Sequence, residues 1–482
     1  MSTDGTERGR TIARNSAFLG IAFVFSKVFT IGLTAIAGRV LGTVGFGLYA
    51  TGAAMVEVGR IVGSAGLDYL VAREVATDAS KASRVARHTA VIKLIGGVFI
   101  YLVVLAIAAF GGYPPIVLSV VLILGTAFFF ENVSDTLDAV FQGVERMHFT
   151  TIAFVSSAAF VFVSGAAALL GGLGILGYTA CFAAGFVVRF ALLFRAARRE
   201  GLLGRESIER AELSRQFRAA IPLLGATVLA MVFHRMDLLM LGRMESPDNV
   251  GLYAAAVRIV DVVVLVPRIL ATAVFPTLRK QLDEDPSRLG AMVADATRLS
   301  LVVCSLAGLG VWIFAPLALR LIPGPEFLPA TDALRWMSWG ILLQGGAHMV
   351  ARLLLAIDAE RDFAMVAGAS LVTNLVLNLV WIPRYGIEGA AFATLASYAV
   401  NLALYFVAAA RRGKRIPLGR SIVGPVGAAV AAWAVTAPLA VRGDVMQAAG
   451  MVVVWAVVLV VLRGVRGMDL ERLGKIVRRE TD

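Results

Sequence analysis

Ionisable side chains set inside otherwise apolar runs are the residues of this chain whose type and spacing could do chemistry. Glu57 and Arg60 stand three residues apart, and so do Arg258 and Asp261. At that spacing two helical side chains share a face and can pair. A charge inside a membrane span is costly if it meets lipid, so it faces other helices or a water-filled cavity. The basic members, Lys27, Arg60, Arg235, Arg258, Arg268 and Arg352, suit an anionic head group. Arginine's planar fork can give a phosphate two hydrogen bonds and stays charged when partly desolvated, while Lys27 would act as a point charge. The same residues also fit a structural role, as ion pairs that lock helices together, with Glu57, Asp237 and Asp261 as acidic partners. Glu131, Asp135 and Asp138 fall on one helix face, at spacings of four and three, with no basic residue among them. Carboxylates so placed could bind protons or Na⁺ for coupling, or line an aqueous mouth.

These residues need long apolar elements to hold them. The chain has 482 residues, 59% of them hydrophobic and 16% charged, with a mean hydropathy of +0.81. A soluble domain is roughly a quarter charged, so the composition indicates an all-α polytopic membrane protein. A span needs about 20 mostly apolar residues. Residues 94–130 carry no charge but are too long for one helix, and Gly111-Gly112-Tyr113-Pro114-Pro115 divides them. The same rule applied throughout predicts fourteen spans, near 14–38, 46–68, 90–110, 116–141, 150–170, 175–195, 217–242, 251–275, 298–320, 334–356, 363–383, 388–410, 421–441 and 444–463. With both termini and the even-numbered connections on one side, that side holds 32 of the 45 Lys and Arg, against 6 on the other. The positive-inside rule then places both termini in the cytoplasm of a multi-pass cell-membrane protein. The formal charge of +12 is accounted for by cytoplasmic loops, and no nucleic-acid partner is expected.

The chain also repeats itself. Residues 14–62 moved forward by 204 positions match at 15 of 49 places, most clearly at Gly47-Leu48-Tyr49-Ala50 against Gly251-Leu252-Tyr253-Ala254. Six spans is an even number, so the two halves enter the membrane in the same direction, a parallel repeat. The expected organisation is an N-lobe over 1–199, a cytoplasmic linker over 200–216, a C-lobe over 217–412, and a final span pair with a basic tail over 413–482. Pro222, Pro267 and Pro276 are expected to kink the seventh and eighth spans. Cys181 and Cys304 lie 123 residues apart in apolar runs. They support neither a disulfide framework nor a zinc site, and no metal, cofactor or catalytic constellation is expected.

Several short motifs occur in a characteristic order. They are Gly38-Arg39 and Gly45-x-Gly47-Leu48-Tyr49 at the first turn, Gly66-Leu67 and Arg73-Glu74 after the second span, Phe141-Gln142-Gly143-x-Glu145-Arg146 after the fourth, and Gly386-Ile387-x-Gly389-Ala390 before the twelfth. Together they resemble the polysaccharide-transporter, O-antigen-flippase-type branch of the superfamily that also holds lipid II flippases and multidrug antiporters. The resemblance covers essentially the whole chain. It implies two lobes and a central cavity that move a lipid-linked oligosaccharide by alternating access, in contact with membrane lipids and glycan-assembly enzymes. Relatives among lipid II flippases use cationic residues in the first, second and eighth helices, where this chain offers Lys27, Arg60, Arg258 and Arg268. Two other readings are a multidrug or cation antiporter of the same superfamily and a membrane glycan polymerase or glycosyltransferase. The first would favour an acidic cavity and the second sizeable external loops, and the sequence has neither.

Overall fold

A computed structural model of the protein describes residues 3–64, 67–204, 207–414, 416–417, 422–436 and 444–461. The basic tail expected after residue 461 and the connection that holds Arg442 lie outside the described residues. The helices are α1 (Thr3–Ser64), α2 (Leu67–Thr77), α3 (Ala82–Phe110), α4 (Pro115–Gly143), α5 (Met147–Leu170), α6 (Gly174–Arg199) and α7 (Arg210–Met244). There follow α8 (Pro247–Val263), α9 (Leu265–Glu284), α10 (Leu289–Leu321), α11 (Thr331–Ala356), α12 (Glu360–Arg411), α13 (Val423–Thr436) and α14 (Asp444–Val461). Among the described residues there is no strand, and nine helical stretches are long and apolar enough to cross a membrane. The protein is an all-α polytopic membrane protein.

The expected spans map onto these helices with local differences. Helix α1 contains the first two spans, and the chain turns between them at Gly42, whose φ of 65° and ψ of −176° are open in practice to glycine alone. Helix α12 contains the eleventh and twelfth, turning at Gly386 with φ 55° and ψ −132°. The eighth span is broken into α8 and α9 at Val264, three residues before Pro267. Proline lacks an amide hydrogen and crowds the carbonyl one turn back, so a break there has a local cause. Pro276 lies inside α9 and Pro222 inside α7, and neither ends its helix. Helix α2, a short element with Leu67, Val71 and Val75 buried on one face, occupies a stretch read from sequence as a loop.

By contact the chain divides into two compact units, residues Met1–Ala254 with Leu321–Glu326, and residues Ala255–Arg320 with Phe327–Asp482. In the first, Val71, Val85 and Val140 join α2, α3 and α4, and Phe141, Ala153 and Leu193 join α4, α5 and α6. Two equivalent points of the sequence repeat meet inside this unit. A Cβ added to Gly47 would come 2.6 Å from the Gly251 amide nitrogen, so only glycines allow α1 and the start of α8 to cross this closely. In the second unit, Leu289, Val350, Leu354 and Tyr405 form one core. Leu309, Ile313 and Leu342 pack with Ala429, Ala432 and Met451 of the last two helices in another. Trp312 meets Trp336, Trp339 and Trp433 edge to face there. Large apolar side chains such as Phe99, Phe110, Val163, Val372 and Val460 are exposed on the helices. In a soluble protein they would be a liability, whereas in a bilayer they face lipid.

Candidate functional site

Four helices of the first unit bring charges together within the spans. Helix α4 supplies Glu131, Asp135 and Asp138 from one face, since spacings of four and three stay within a narrow arc of the helix. Helix α6 supplies Arg189, and the later part of α1 supplies Glu57 and Arg60. Helix α7 supplies Arg235. The Arg189 guanidinium donates to Glu131 Oε1 at 2.5 Å and to Asp135 Oδ1 at 3.2 Å, and its other terminal nitrogen pairs with Asp138. Arg60 Nη1 reaches Asp135 Oδ2 at 2.6 Å. Three carboxylates therefore meet two guanidiniums, with Asp135 bridging both. The Arg189 side chain is 11% exposed and its carboxylates 14–20%, so the cluster is largely withdrawn from solvent. A cavity of about 170 Å³, lined by Ser26, Thr30, Phe154 and Phe182, opens beside Glu131 and Arg189.

Beside this cluster, Arg235 uses both prongs of its fork on Glu57, Nε to Oε2 at 2.9 Å and Nη2 to Oε1 at 3.3 Å. Lys93 is fully buried, donating to Asp68 Oδ1 at 2.5 Å and to the Asn132 carbonyl at 3.2 Å. Asp237 accepts from the Tyr253 hydroxyl. The pairing differs from the simplest reading of spacing. Glu57 and Arg60 share a face of α1, yet each is taken by a different helix, α7 and α4 respectively.

The remaining expected residues lie as follows. Lys27 is partly buried on α1, next to Ser26 of the cavity lining. In the second unit, Arg258 and Asp261 are partly buried on α8 and Arg268 is exposed on α9. Arg352 of α11 lies over the Phe275 ring, 5.9 Å from its centroid, with Nη2 3.5 Å from Thr272 Oγ1. That hydroxyl in turn donates to the Arg268 carbonyl one turn back on α9 at 2.9 Å. Sequence reasoning assigned no role to Arg189 or Lys93. Arg189 follows Glu131 by 58 residues on another helix, and no periodicity within one element reports such a pair. Lys93 could have been found, as a lysine one turn inside a span with Asp68 at the end of the preceding one. Among the described residues no group of three or more His, Cys, Asp or Glu is placed to hold a metal ion.

Comparisons with known proteins agree with this architecture. A family model described as "Polysaccharide biosynthesis protein" matches residues 12–281, and the MatE model matches residues 222–380. The chain is 27% identical over 171 residues to the "Probable low-salt glycan biosynthesis flippase Agl15" of Haloferax volcanii, covering 35% of this chain and 36% of that protein. It is 27% identical over 168 residues to the "Lipid III flippase" of Escherichia coli, covering 34% of this chain and 39% of that protein. The alignments thus span well under half the length of these relatives. Among solved structures, a lipid II flippase MurJ in an inward closed conformation aligns with a TM-score of 0.75 at 14% identity, over 94% of this chain and 99% of the other. An inward-facing multidrug resistance MATE family transporter aligns with a TM-score of 0.68 at 16% identity, over 83% and 98%. At such identities the structural likeness establishes the fold.

Proposed function

The chain belongs to the polysaccharide biosynthesis protein family, and on that premise we propose that it flips a lipid-linked oligosaccharide from the cytoplasmic to the outer leaflet of the cell membrane. The observation that carries this reading is the placing of arginines inside the spans on carboxylates that a phosphate can replace. Arg235 already presents a two-pronged fork to Glu57, the geometry that also matches a phosphate. Exchange of one anion for the other keeps the guanidinium paired. The names of the relatives, two of them flippases of glycan biosynthesis or lipid III, support the same substrate class.

In the proposed mechanism Lys27, Arg60 and Arg235, and in turn Arg258, Arg268 and Arg352, contact the phosphate or pyrophosphate, while the isoprenoid tail stays in lipid. The lobes over 1–199 and 217–412 alternate in access, with both termini in the cytoplasm. Glu131 and Asp135, in a cluster of three carboxylates and two guanidiniums, are the proposed carriers of the coupling proton or Na⁺. The test is reconstitution of the full chain into vesicles with a fluorescent polyprenyl-pyrophosphate-linked glycan, followed by an impermeant reagent that reads the exposed leaflet. Protein-dependent transfer of the glycan supports the reading, and equal accessibility with and without protein overturns it.

A further inference from the structure

Helices α3, α4 and α6 of the first unit enclose a groove of about 700 Å³ on the side away from the Arg189 cluster. Its character changes along its length. Arg87 stands in the second turn of α3 and Arg198 in the last turn of α6, and the two helix ends are held on the same side by a hydrogen bond from the Gly204 amide to Ser83 Oγ at 2.5 Å. Leu94 lies two turns further along α3. On α6, Phe194 and Phe190 recur at intervals of four behind Arg198, and Phe190 meets Phe130 of α4 with ring centroids 5.4 Å apart. At 1.5 Å per residue, the distance from Arg198 to Phe190 along the helix is about 12 Å. Leu94, Phe130 and Phe194 are 39–42% exposed, so the apolar part of the groove opens to the surroundings of the helices.

A cationic mouth that leads into an aromatic trough about a dozen ångströms long has the polarity of one membrane lipid, head at one end and chain at the other. We propose that this groove is a binding site for one anionic phospholipid of the leaflet on the basic side, with its phosphate at Arg87 and Arg198 and one acyl chain along Phe194, Phe190, Phe130 and Leu94. Basic pockets between spanning helices select lipids of net negative charge. A zwitterionic head would bring its own ammonium towards two guanidiniums. A bound chain also covers aromatic surface contributed by both α4 and α6, the helices that carry the Arg189 cluster on their other faces. The site thereby links the lipid composition of the membrane to the stability of that cluster. The inference does not depend on the transported substrate.

The test is native mass spectrometry of the full chain released from detergent carrying equal amounts of phosphatidylglycerol and phosphatidylcholine with identical acyl chains. One phosphatidylglycerol is expected to be retained in preference to phosphatidylcholine. Arg87→Gln with Arg198→Gln should weaken its retention roughly 30-fold, from the contribution of two arginines near a lipid surface. Ala90→Phe, which fills the groove while leaving both arginines in place, should abolish it. Both variants are checked for folding by size exclusion and circular dichroism, and each reads the site without the other. Equal retention of the two lipids, or undiminished phosphatidylglycerol on either folded variant, overturns the proposal. One-for-one displacement by an equimolar polyprenyl phosphate overturns it too, because the groove would then belong to the transported lipid.

Discussion

Replacing Arg189 by glutamine tests the buried charge cluster most severely. In the folded protein this one guanidinium serves Glu131, Asp135 and Asp138, at 11% exposure of its own side chain. After the substitution Asp135 keeps Arg60 at 2.6 Å, while Glu131 and Asp138 lose the partner that the structure gives them. Removing one member of a buried ion pair costs about 3–5 kcal/mol, and the residual exposure of 14% and 16% at the two carboxylates puts the value near the lower end, about 3 kcal/mol. Against a folding free energy of about 5–15 kcal/mol for a typical domain, that is a large fraction. Arg189→Gln should therefore lower both cellular abundance and the temperature at which the detergent-solubilised protein stops eluting as a monodisperse peak. Adding Glu131→Gln and Asp138→Asn, which removes the two stranded charges, should restore most of the loss, because groups in one network do not act additively. An Arg189→Gln protein that melts with the unsubstituted chain would refute the reasoning, as would a triple variant less stable than the single one.

Other consequences are narrower. Gly42→Ala forces an L residue into a glycine-only conformation with no close neighbour to relieve it, the nearest atom being Glu326 Oε2 at 3.5 Å; a loss of about 1–3 kcal/mol is expected in the same melting assay, and an unchanged midpoint would contradict it. Gly251→Ala drives a methyl group into the Thr43 carbonyl and should cost about 1–3 kcal/mol by overpacking, whereas Gly225→Ala, with open space around it, should be silent. Outside the membrane, hydrogen bonds from Arg215 hold the Glu212 carboxyl below its ordinary value of 4.5. A depressed carboxylate stabilises the fold above its unfolded pKa and loses that contribution as pH falls through the folded one. Hydrogen exchange in the first turn of α7 should therefore quicken only below pH 4.5, and Arg215→Ala should move the onset up towards that value; the same onset in both proteins would argue against the contact.

Much of the fold was legible because the bilayer constrains it so strongly. Only helices and closed barrels satisfy their backbones there, so in this chain long apolar runs punctuated by Gly and Pro mark helices, as at Gly111–Pro115 and between α5 and α6. The matched glycines Gly47 and Gly251 of the sequence repeat lie in backbone contact, where any side chain would collide. Less visible were α2, too short and too polar to register as a span, and the continuation of α1 and α12 through Gly42 and Gly386, where one residue suffices to turn the chain. Within the site, sequence could say which spans carry charge but not which charges meet. Helical spacing joins Glu57 to Arg60, whereas the fold gives Glu57 to Arg235, 178 positions away, and Arg60 to Asp135, 75 positions away. Lys93 was hidden by its position at a span boundary, where a basic residue ordinarily signals cytoplasm; here burial is tolerated because Asp68 and the Asn132 carbonyl satisfy the ammonium.

Leaflet transfer by an Arg60→Ala, Arg258→Ala protein tests most directly whether intramembrane arginines hold an anionic lipid head group. Removal of Arg60 leaves Asp135 still paired with Arg189 at 3.2 Å, so no carboxylate is stranded at that site and the folded protein should reach normal abundance. In vesicles loaded with the fluorescent polyprenyl-pyrophosphate glycan, this variant should lose nearly all transfer. The matching Arg60→Lys, Arg258→Lys protein, which keeps the charge and loses the fork, should retain part of it. Full transfer by an abundant double-alanine protein would contradict the cationic mechanism.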